Sequence, residues 1–431
     1  MRRKALAAVL AATTFFGLAA CGGGGGDTTS GSAKIEGRGP ITLVQGKDTS
    51  GFVQGVLDKW NKQHPDEKAR LIELPEDADS QREKMLQNAQ TKSDAYDVLV
   101  TDVVWTSEFA ANRVIIPLPE KEFQLDKMLK PVVDTTKYQG KLYAAPSSSD
   151  GGLLYYRTDL MKAAGISDPP QTWQELIDDC KKIQATPQGK GVNCYAGQFE
   201  KYEGLTVNAS EVINGAGGVV TDDSGKPDVN TPEAAKGLDF LVNGFKQGYI
   251  PKEAITYKEE EGRRAFQGGK LIFHRQWPYQ YNLANGDEGT KVKGKFAVAP
   301  LPGLDGPGAS SLGGHNLAIS TYSKNKASAL DFIKFYTSEQ NQKTNLELAS
   351  QAPTFADLYD DASLQEKYPY LTTLRDSING AVPRPKVVQY GDATTAIQDA
   401  AYAALTGDKS TTDALKDLQS QLESITSGQG Q

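Results

Sequence analysis

Cysteine, histidine, tryptophan and methionine are all scarce in this chain of 431 residues, with three Cys, three His, four Trp and four Met. His64, His274 and His315 form no HExxH pair and no EF-hand loop accompanies them, so a built metal site has no pattern behind it. Neither G-x-x-x-x-G-K-[ST] nor G-x-S-x-G occurs, which removes the usual phosphate-cradling loop and the usual serine-nucleophile elbow. Basic residues are also in deficit: 47 Lys+Arg stand against 54 Asp+Glu, a formal net charge of −7. That balance argues against nucleic acid as a partner. What is present is ordinary for a globular protein, 38% hydrophobic and 23% charged residues. The length exceeds what one hydrophobic core usually serves, so two lobes or domains are expected.

The N-terminus reads Arg2, Arg3, Lys4, then a weakly apolar run from Ala5 to Ala20, then Cys21 and a glycine run. The run is too short to span a bilayer comfortably, and charge, apolar run and small residues together describe a secretory signal over residues 1–20. Leu18-Ala19-Ala20-Cys21 resembles the lipobox of bacterial lipoproteins, which implies lipidation of Cys21 and a protein held on the extracellular face of the cell membrane. Residues 21–39, rich in Gly, Ser and Thr, read as the lipidated cysteine and a flexible tether. Loss of the signal leaves 44 Lys+Arg against 54 Asp+Glu, so partners are expected to be neutral or small. Cys180 and Cys194 then lie in an oxidising compartment, where a disulfide closing their short loop is worth about 3 kcal/mol in the chain-entropy description. Two unconnected thiols are the alternative, and neither cysteine has the setting of a nucleophile.

From Ile41 onward short β-rich runs alternate with amphipathic helices. Ile41–Val44 precedes a helical face of Phe52, Val53, Val56, Leu57 and Trp60, and Asp97–Val100 ends at Asp102 before a helical pattern around Trp105–Ala111. Further strands are expected at Lys141–Ala145, Gly152–Tyr156, Lys270–Phe273, Phe296–Ala299 and Asn316–Ser320. Helices are expected at Thr172–Gln184, where Thr172 and Glu175 form a capping-box pattern, and at Pro232–Gln247, Lys326–Thr337 and Thr412–Ile425. Repeated βα units imply a largely parallel sheet covered on both faces. Ligand groups in such sheets gather at the carboxyl ends of strands, which singles out Gln45–Ser50, Asp102–Trp105 and Pro146–Gly151.

Seven stretches taken together resemble the sugar-binding lipoproteins of ATP-dependent carbohydrate importers, the bacterial extracellular solute-binding proteins of family 1. They are YDVLVTDVVWTSEFA from Tyr96, GKLYAAPSSSDGGLLYYRTDLM from Gly140, PPQTWQEL from Pro169, EEGRRAFQGGKLIFHRQWPY from Glu260, VAPLPG from Val298, LGGHNLAIS from Leu312 and AVPRP from Ala381. Within the family the likeness runs to actinobacterial trehalose- and maltose-binding lipoproteins. The resemblance implies an α/β fold of the periplasmic-binding-protein type, class II-like, with two lobes joined by hinge crossings near Pro146, Gly313 and Pro353 and a ligand cleft between them. Residues 40–147 and 313–355 would form lobe 1, and residues 148–312 and 356–431 lobe 2.

The same resemblance carries ligand contacts onto Asp102, Asp150, Trp277, Gly313, Gly314 and Arg384. His274 and His315 stand where relatives carry other residues and are expected to influence which sugar is chosen. Gln45, Lys47, Asp48 and Tyr279 are added from their places in loops. Carboxylates and Arg suit sugar hydroxyls, and an indole suits the apolar face of a pyranose. Each has a plainer role open to it: Asp102 as a helix cap, Trp277 as core, Arg384 as a surface ion pair, Asp150 as a turn residue. The implied function is capture of an α-glucoside disaccharide, trehalose ahead of maltose or maltooligosaccharides. A monomer without cofactor or catalytic residue would hand it to the membrane permease of an ABC transporter. Two rivals are an extracellular glycoside hydrolase, since an acidic chain supplies many carboxylate pairs, and a ferric-ion binder using Tyr155 and Tyr156.

Overall fold

A computed structural model describes residues 34–222 and 224–427, and these described residues group as one compact unit. The signal, Cys21 and most of the tether lie outside the described residues. Two mixed sheets organise the body. The first runs in the order Ala69–Leu74, Ile41–Gly46, Val98–Asp102, Leu312–Ile319, Ala144–Gly151. Its first three strands are parallel, while Leu312–Ile319 is antiparallel to both neighbours. The second sheet runs Phe296–Ala299, Leu153–Arg157, Leu271–Gln276, Asn193–Ala196. Here only the pair of Asn193–Ala196 with Leu271–Gln276 is parallel. The expectation of a largely parallel sheet is therefore corrected. The chain passes from one sheet to the other and back, and a strand returning in this way enters from the opposite end.

Each sheet is flanked by helices whose faces follow from sequence. Strand 41–46 presents Ile41, Leu43 and Val44 fully buried, as a strand covered on both faces requires. The helix Val53–Gln63 buries Val53, Val56, Leu57 and Trp60, the i, i+3, i+4, i+7 set. Phe52 stands just before that helix and faces the cleft instead. Helix Trp173–Gln184 starts with a complete capping box, the Glu175 N–H donating to Thr172 Oγ1 at 3.1 Å. It buries Cys180, which is bridged to Cys194. The C-terminal helix Thr411–Thr426 buries Leu415, Leu418 and Leu422.

The sheets are joined most directly through one residue, Gly152, between strands 144–151 and 153–157. Its N–H donates to Ser310 Oγ at 2.6 Å, beside the return passage that enters strand 312–319. Two crossings thus lie side by side. A further passage brings Val382 against Ser311 and Leu312, just before Arg384. The two α/β lobes face each other across the cleft that these crossings leave open.

Candidate ligand-binding cleft

A cavity of about 290 Å³ lies between the sheets. It gathers Gln45, Lys47, Asp48, Asp102, Asp150, Trp277, Tyr279, Gly313, Gly314, His315 and Arg384 into one lining. Residues more than 150 positions apart in sequence meet here because strand register puts them together. His315 pairs with Asp102, and Gly313 pairs with Asp150 on the neighbouring strand. Asp150 is thus on a strand rather than in the loop its glycine neighbours suggest, and the glycine pair lies within strand 312–319. Gly314 has φ +110, and a Cβ there would fall 2.4 Å from the Ser148 carbonyl oxygen, so only glycine fits. A Cβ on Gly313 would fall 2.8 Å from Trp277 Cζ3, so the indole edge packs directly on that backbone.

Arg384 is the central cation. Its side chain is 1% exposed, and it donates to Asp102 Oδ1 at 2.8 Å, to Glu203 and to the Leu312 carbonyl oxygen at 3.3 Å. Asp102 also accepts the Val104 N–H at 3.1 Å, so it both supports the local turn and meets Arg384. Glu203 begins the helix Glu203–Gly215 and accepts from Tyr390 and from Thr394 Oγ1 at 2.7 Å as well. Burial raises its carboxyl above the usual range while Arg384 opposes that rise. One guanidinium therefore serves the buried Glu203 carboxylate and the half-buried Asp102 carboxylate, one from each side of the cleft.

Asp150 has a different setting. No protein group donates to its carboxylate among the described hydrogen bonds, and burial together with the nearby Asp102 charge pushes it up to about 7. The Arg275 guanidinium that opposes this rise is held by Glu211, Nε to Oε2 at 2.7 Å. Arg275 also lies 3.8 Å from the centre of the Trp277 ring, covering one face of an indole that lines the cleft. His315 stays neutral because burial lowers its pKa.

Two of the expected residues have other duties. Asp48 lines the cleft, yet its carboxylate accepts the N–H groups of Gly51 at 2.9 Å and Val53 at 2.8 Å, fixing the start of helix 53–63. His274 does not reach the lining at all. It sits on the helix-covered face of strand 271–276, stacked near Phe266 and bonded through Nδ1 to Gln280 Oε1 at 2.9 Å. Burial depresses its pKa to about 3, so it is a neutral core imidazole.

The lining also holds groups that the sequence reading missed: Tyr202, Glu203, Glu259 and Glu260. Tyr202 donates to Glu259 Oε2 at 2.7 Å and Tyr279 to Glu260 Oε1 at 2.8 Å, so two phenol–carboxylate pairs form one wall. The run of three glutamates at 259–261, acidic residues in a first helical turn, was the available signal for two of them. Tyr155 and Tyr156, proposed partners of iron in one rival reading, are neighbours on a strand. Tyr155 is buried and donates to the Trp277 carbonyl oxygen at 3.1 Å, whereas Tyr156 is only half-buried. Among the described residues no group of three His, Cys, Asp or Glu is placed to hold a metal ion.

The profile of the family described as "Bacterial extracellular solute-binding protein" matches residues 45–343, which include most of the cleft. The chain belongs to this family. A relative in Deinococcus radiodurans, called "Probable ABC transporter-binding protein", is 36% identical over 85% of this chain and 89% of its own length. A mannitol-binding protein of Pseudomonas aeruginosa is 25% identical over 85% and 88%. The solved structure of maltose-bound T. maritima MalE3 superimposes with a TM-score of 0.85 at 34% identity, covering 90% of this chain and 99% of that one. The Deinococcus relative is named as a binding protein of an ABC transporter, and this solute-binding protein is likewise a binder rather than an enzyme. No helix among its described residues is long and apolar enough to cross a membrane.

Proposed function

We propose that this solute-binding protein captures a neutral sugar, an α-linked glucose disaccharide such as trehalose or maltose, and delivers it to the permease of an ABC importer. The observation that carries the reading is the state of Arg384. Both Nη groups of its guanidinium donate to Asp102, Glu203 and a backbone carbonyl and only the buried Nε lacks a partner, so an anionic ligand would find no free guanidinium fork in the cleft. Besides Lys47 and His315, the lining offers carboxylate acceptors, phenol groups and an indole, which suits a ligand made of hydroxyl donors and an apolar ring face. Maltose in the MalE3 structure supports an α-glucoside, and the sequence likeness to trehalose-binding lipoproteins supports trehalose.

In this reading lobe 1 is built on the first sheet and lobe 2 on the second, with the crossings at Gly152, Ser310–Leu312 and Val382 as boundaries in place of those expected after residues 147, 312 and 355. Lipid on Cys21 tethers the protein outside the membrane, and it acts as a monomer. A thermal-shift panel of trehalose, maltose, longer α-glucans, mannitol, glucose 6-phosphate and glucuronate tests the function. A ligand that binds only the native state raises the melting temperature, by mass action about 2.7 kcal/mol at a hundredfold excess over Kd. A rise with an α-glucoside and none with the two anions is expected. A rise with an anion alone contradicts the reading.

A further inference from the structure

Glu203 is held from two directions, and the second lies outside the cleft. The helix Glu203–Gly215 flanks the second sheet, and Tyr202, the residue at its cap position, contributes no side-chain cap bond. The cap comes from another part of the molecule. The helix Ala78–Gln90, between two strands of the first sheet, presents Asp79, whose Oδ2 accepts the Glu203 N–H at 3.0 Å. The same oxygen accepts from Gln398 Nε2 at 3.2 Å, on the helix Tyr390–Thr406, which packs beside helix 203–215. One turn along from Asp79, on the same helical face, Arg82 is locked to Glu108 by two bonds of 2.7 and 2.9 Å. Its guanidinium rests on Gly391, where a Cβ would fall 1.6 Å from Arg82 Nη2. Asp79, Arg82 and Gly391 are not part of the cleft lining.

We propose that Asp79 is a positioning residue for sugar capture: it caps helix 203–215 across the lobe boundary, and this cap, seated by Arg82 on Gly391, forms as the lobes close. A carboxylate at the N-terminus of a thirteen-residue helix is favoured by the exposed N–H groups and the helix dipole. When the lobes separate, that N-terminus loses its cap, while Tyr390 and Thr394 go on holding the Glu203 carboxylate. Closure then carries part of the apparent affinity, because a ligand held by the closed form binds in proportion to how much of that form is populated. The contact meets no ligand atom, so it adds to the binding of every accepted sugar equally.

The inference rests on the α-glucoside reading, and titration calorimetry of the full chain with maltose and trehalose tests it. Asp79→Ala is expected to weaken both sugars by the same factor, about two- to thirtyfold, the range a lost helix cap spans. Asp79→Asn keeps an oxygen for the Glu203 N–H and should recover most of that loss. Gly391→Ala should weaken both sugars about tenfold or more while leaving the sugar-free melting temperature unchanged, since its methyl group meets Arg82 only when the helices come together. Unchanged affinities in Asp79→Ala and Gly391→Ala would overturn the clasp. So would a changed ratio of maltose to trehalose binding, or a lowered sugar-free melting temperature in Gly391→Ala, which would make the contact a permanent part of the fold. Binding of neither sugar by the wild type would overturn the sugar reading and the role of Asp79 with it.

Discussion

Asp102, Asp150, Gly313, Gly314 and His315 reach the cleft from strands of one sheet, whereas Tyr202, Glu203, Glu259 and Glu260 reach it at the starts of two helices on the other side. The strand residues are fixed by register: Gly313 must face Asp150 and His315 must face Asp102 wherever the ladder forms. The helix-start residues are fixed by what meets them, namely Arg384, Tyr390 and Thr394 for Glu203 and two tyrosines for the glutamate pair. One wall is a rigid set of acceptors. The other is a set of groups held within one lobe, Glu203 by Tyr390 and Thr394 and the glutamate pair by Tyr202 and Tyr279, and tied to the first wall through Arg384. In this account the first wall recognises hydroxyl groups and the second completes the site.

Arg384 joins the two walls, so removing it is the harshest test of the comparison. Arg384→Ala leaves the buried Glu203 and the half-buried Asp102 without their cation, and loss of one partner from a buried ion pair costs about 3–5 kcal/mol. A drop of that size in urea-unfolding stability is expected along with loss of sugar binding. Stability within about 1 kcal/mol of wild type would show that the walls are not coupled through this residue.

Asp102→Asn and Glu203→Gln then compare the walls directly. Each weakens a charged acceptor and should cost about 1.5–3 kcal/mol in sugar binding, roughly ten- to a hundredfold, measured by calorimetry. If only the Asp102 variant loses affinity, the helix wall is scaffolding.

The two histidines give a smaller contrast. His315→Ala is expected to change sugar affinity by about 1 kcal/mol, the scale of one hydrogen bond, because it lines the cleft. His274→Gln should leave sugar preference unchanged and alter acid stability instead. In the folded chain His274 is depressed to about 3, while in the unfolded chain it takes a proton near its ordinary 6.5. Stability from this group is therefore present above pH 6.5 and lost as pH falls toward 3. Equilibrium unfolding at pH 7 and 5 reads that slope in both proteins, and the slope should be shallower in His274→Gln.

The mildest effect concerns protons at Asp150. Its carboxyl stands at about 7 in the cleft, and hydroxyl donors from a bound sugar favour the ionised form. Binding should then release a proton near pH 7, and affinity should rise about severalfold from pH 6 to pH 8. Calorimetry in buffers of different ionisation heat measures the proton count. The pH dependence should vanish in Asp150→Asn, and its survival there would assign it to another group such as Glu203.

The difference between the walls also explains what could be read from sequence. Strand 98–102, helix 53–63 and helix 173–184 carry clear apolar periods and turn or cap signals, and the structure places them as expected. The glycine pair and Asp150 are identified as neighbours of the ligand by resemblance, although their strand conformation is hidden by Gly and Ser residues of low β propensity. Helix 203–215 escapes a periodicity reading because residues 203–213 are buried on every side and no polar face interrupts them. Strand 69–74 escapes it for the opposite reason: it is an edge strand, and Arg70 and Glu73 break its apolar run. His274 is misplaced because resemblance singles it out, as a position three residues before Trp277 where relatives carry another residue. On a strand, however, His274 and Arg275 face opposite sides, and it is Arg275 that reaches the tryptophan.

A crystal structure of the protein grown with maltose or trehalose tests the central claim most directly. The account predicts one disaccharide between the sheets, a pyranose face against Trp277, and hydroxyl groups donating to Asp102 or Asp150 on the strand wall and to Glu203 on the helix wall. A sugar bound outside this cleft, or held by strand residues alone with Glu203 turned away, would contradict it.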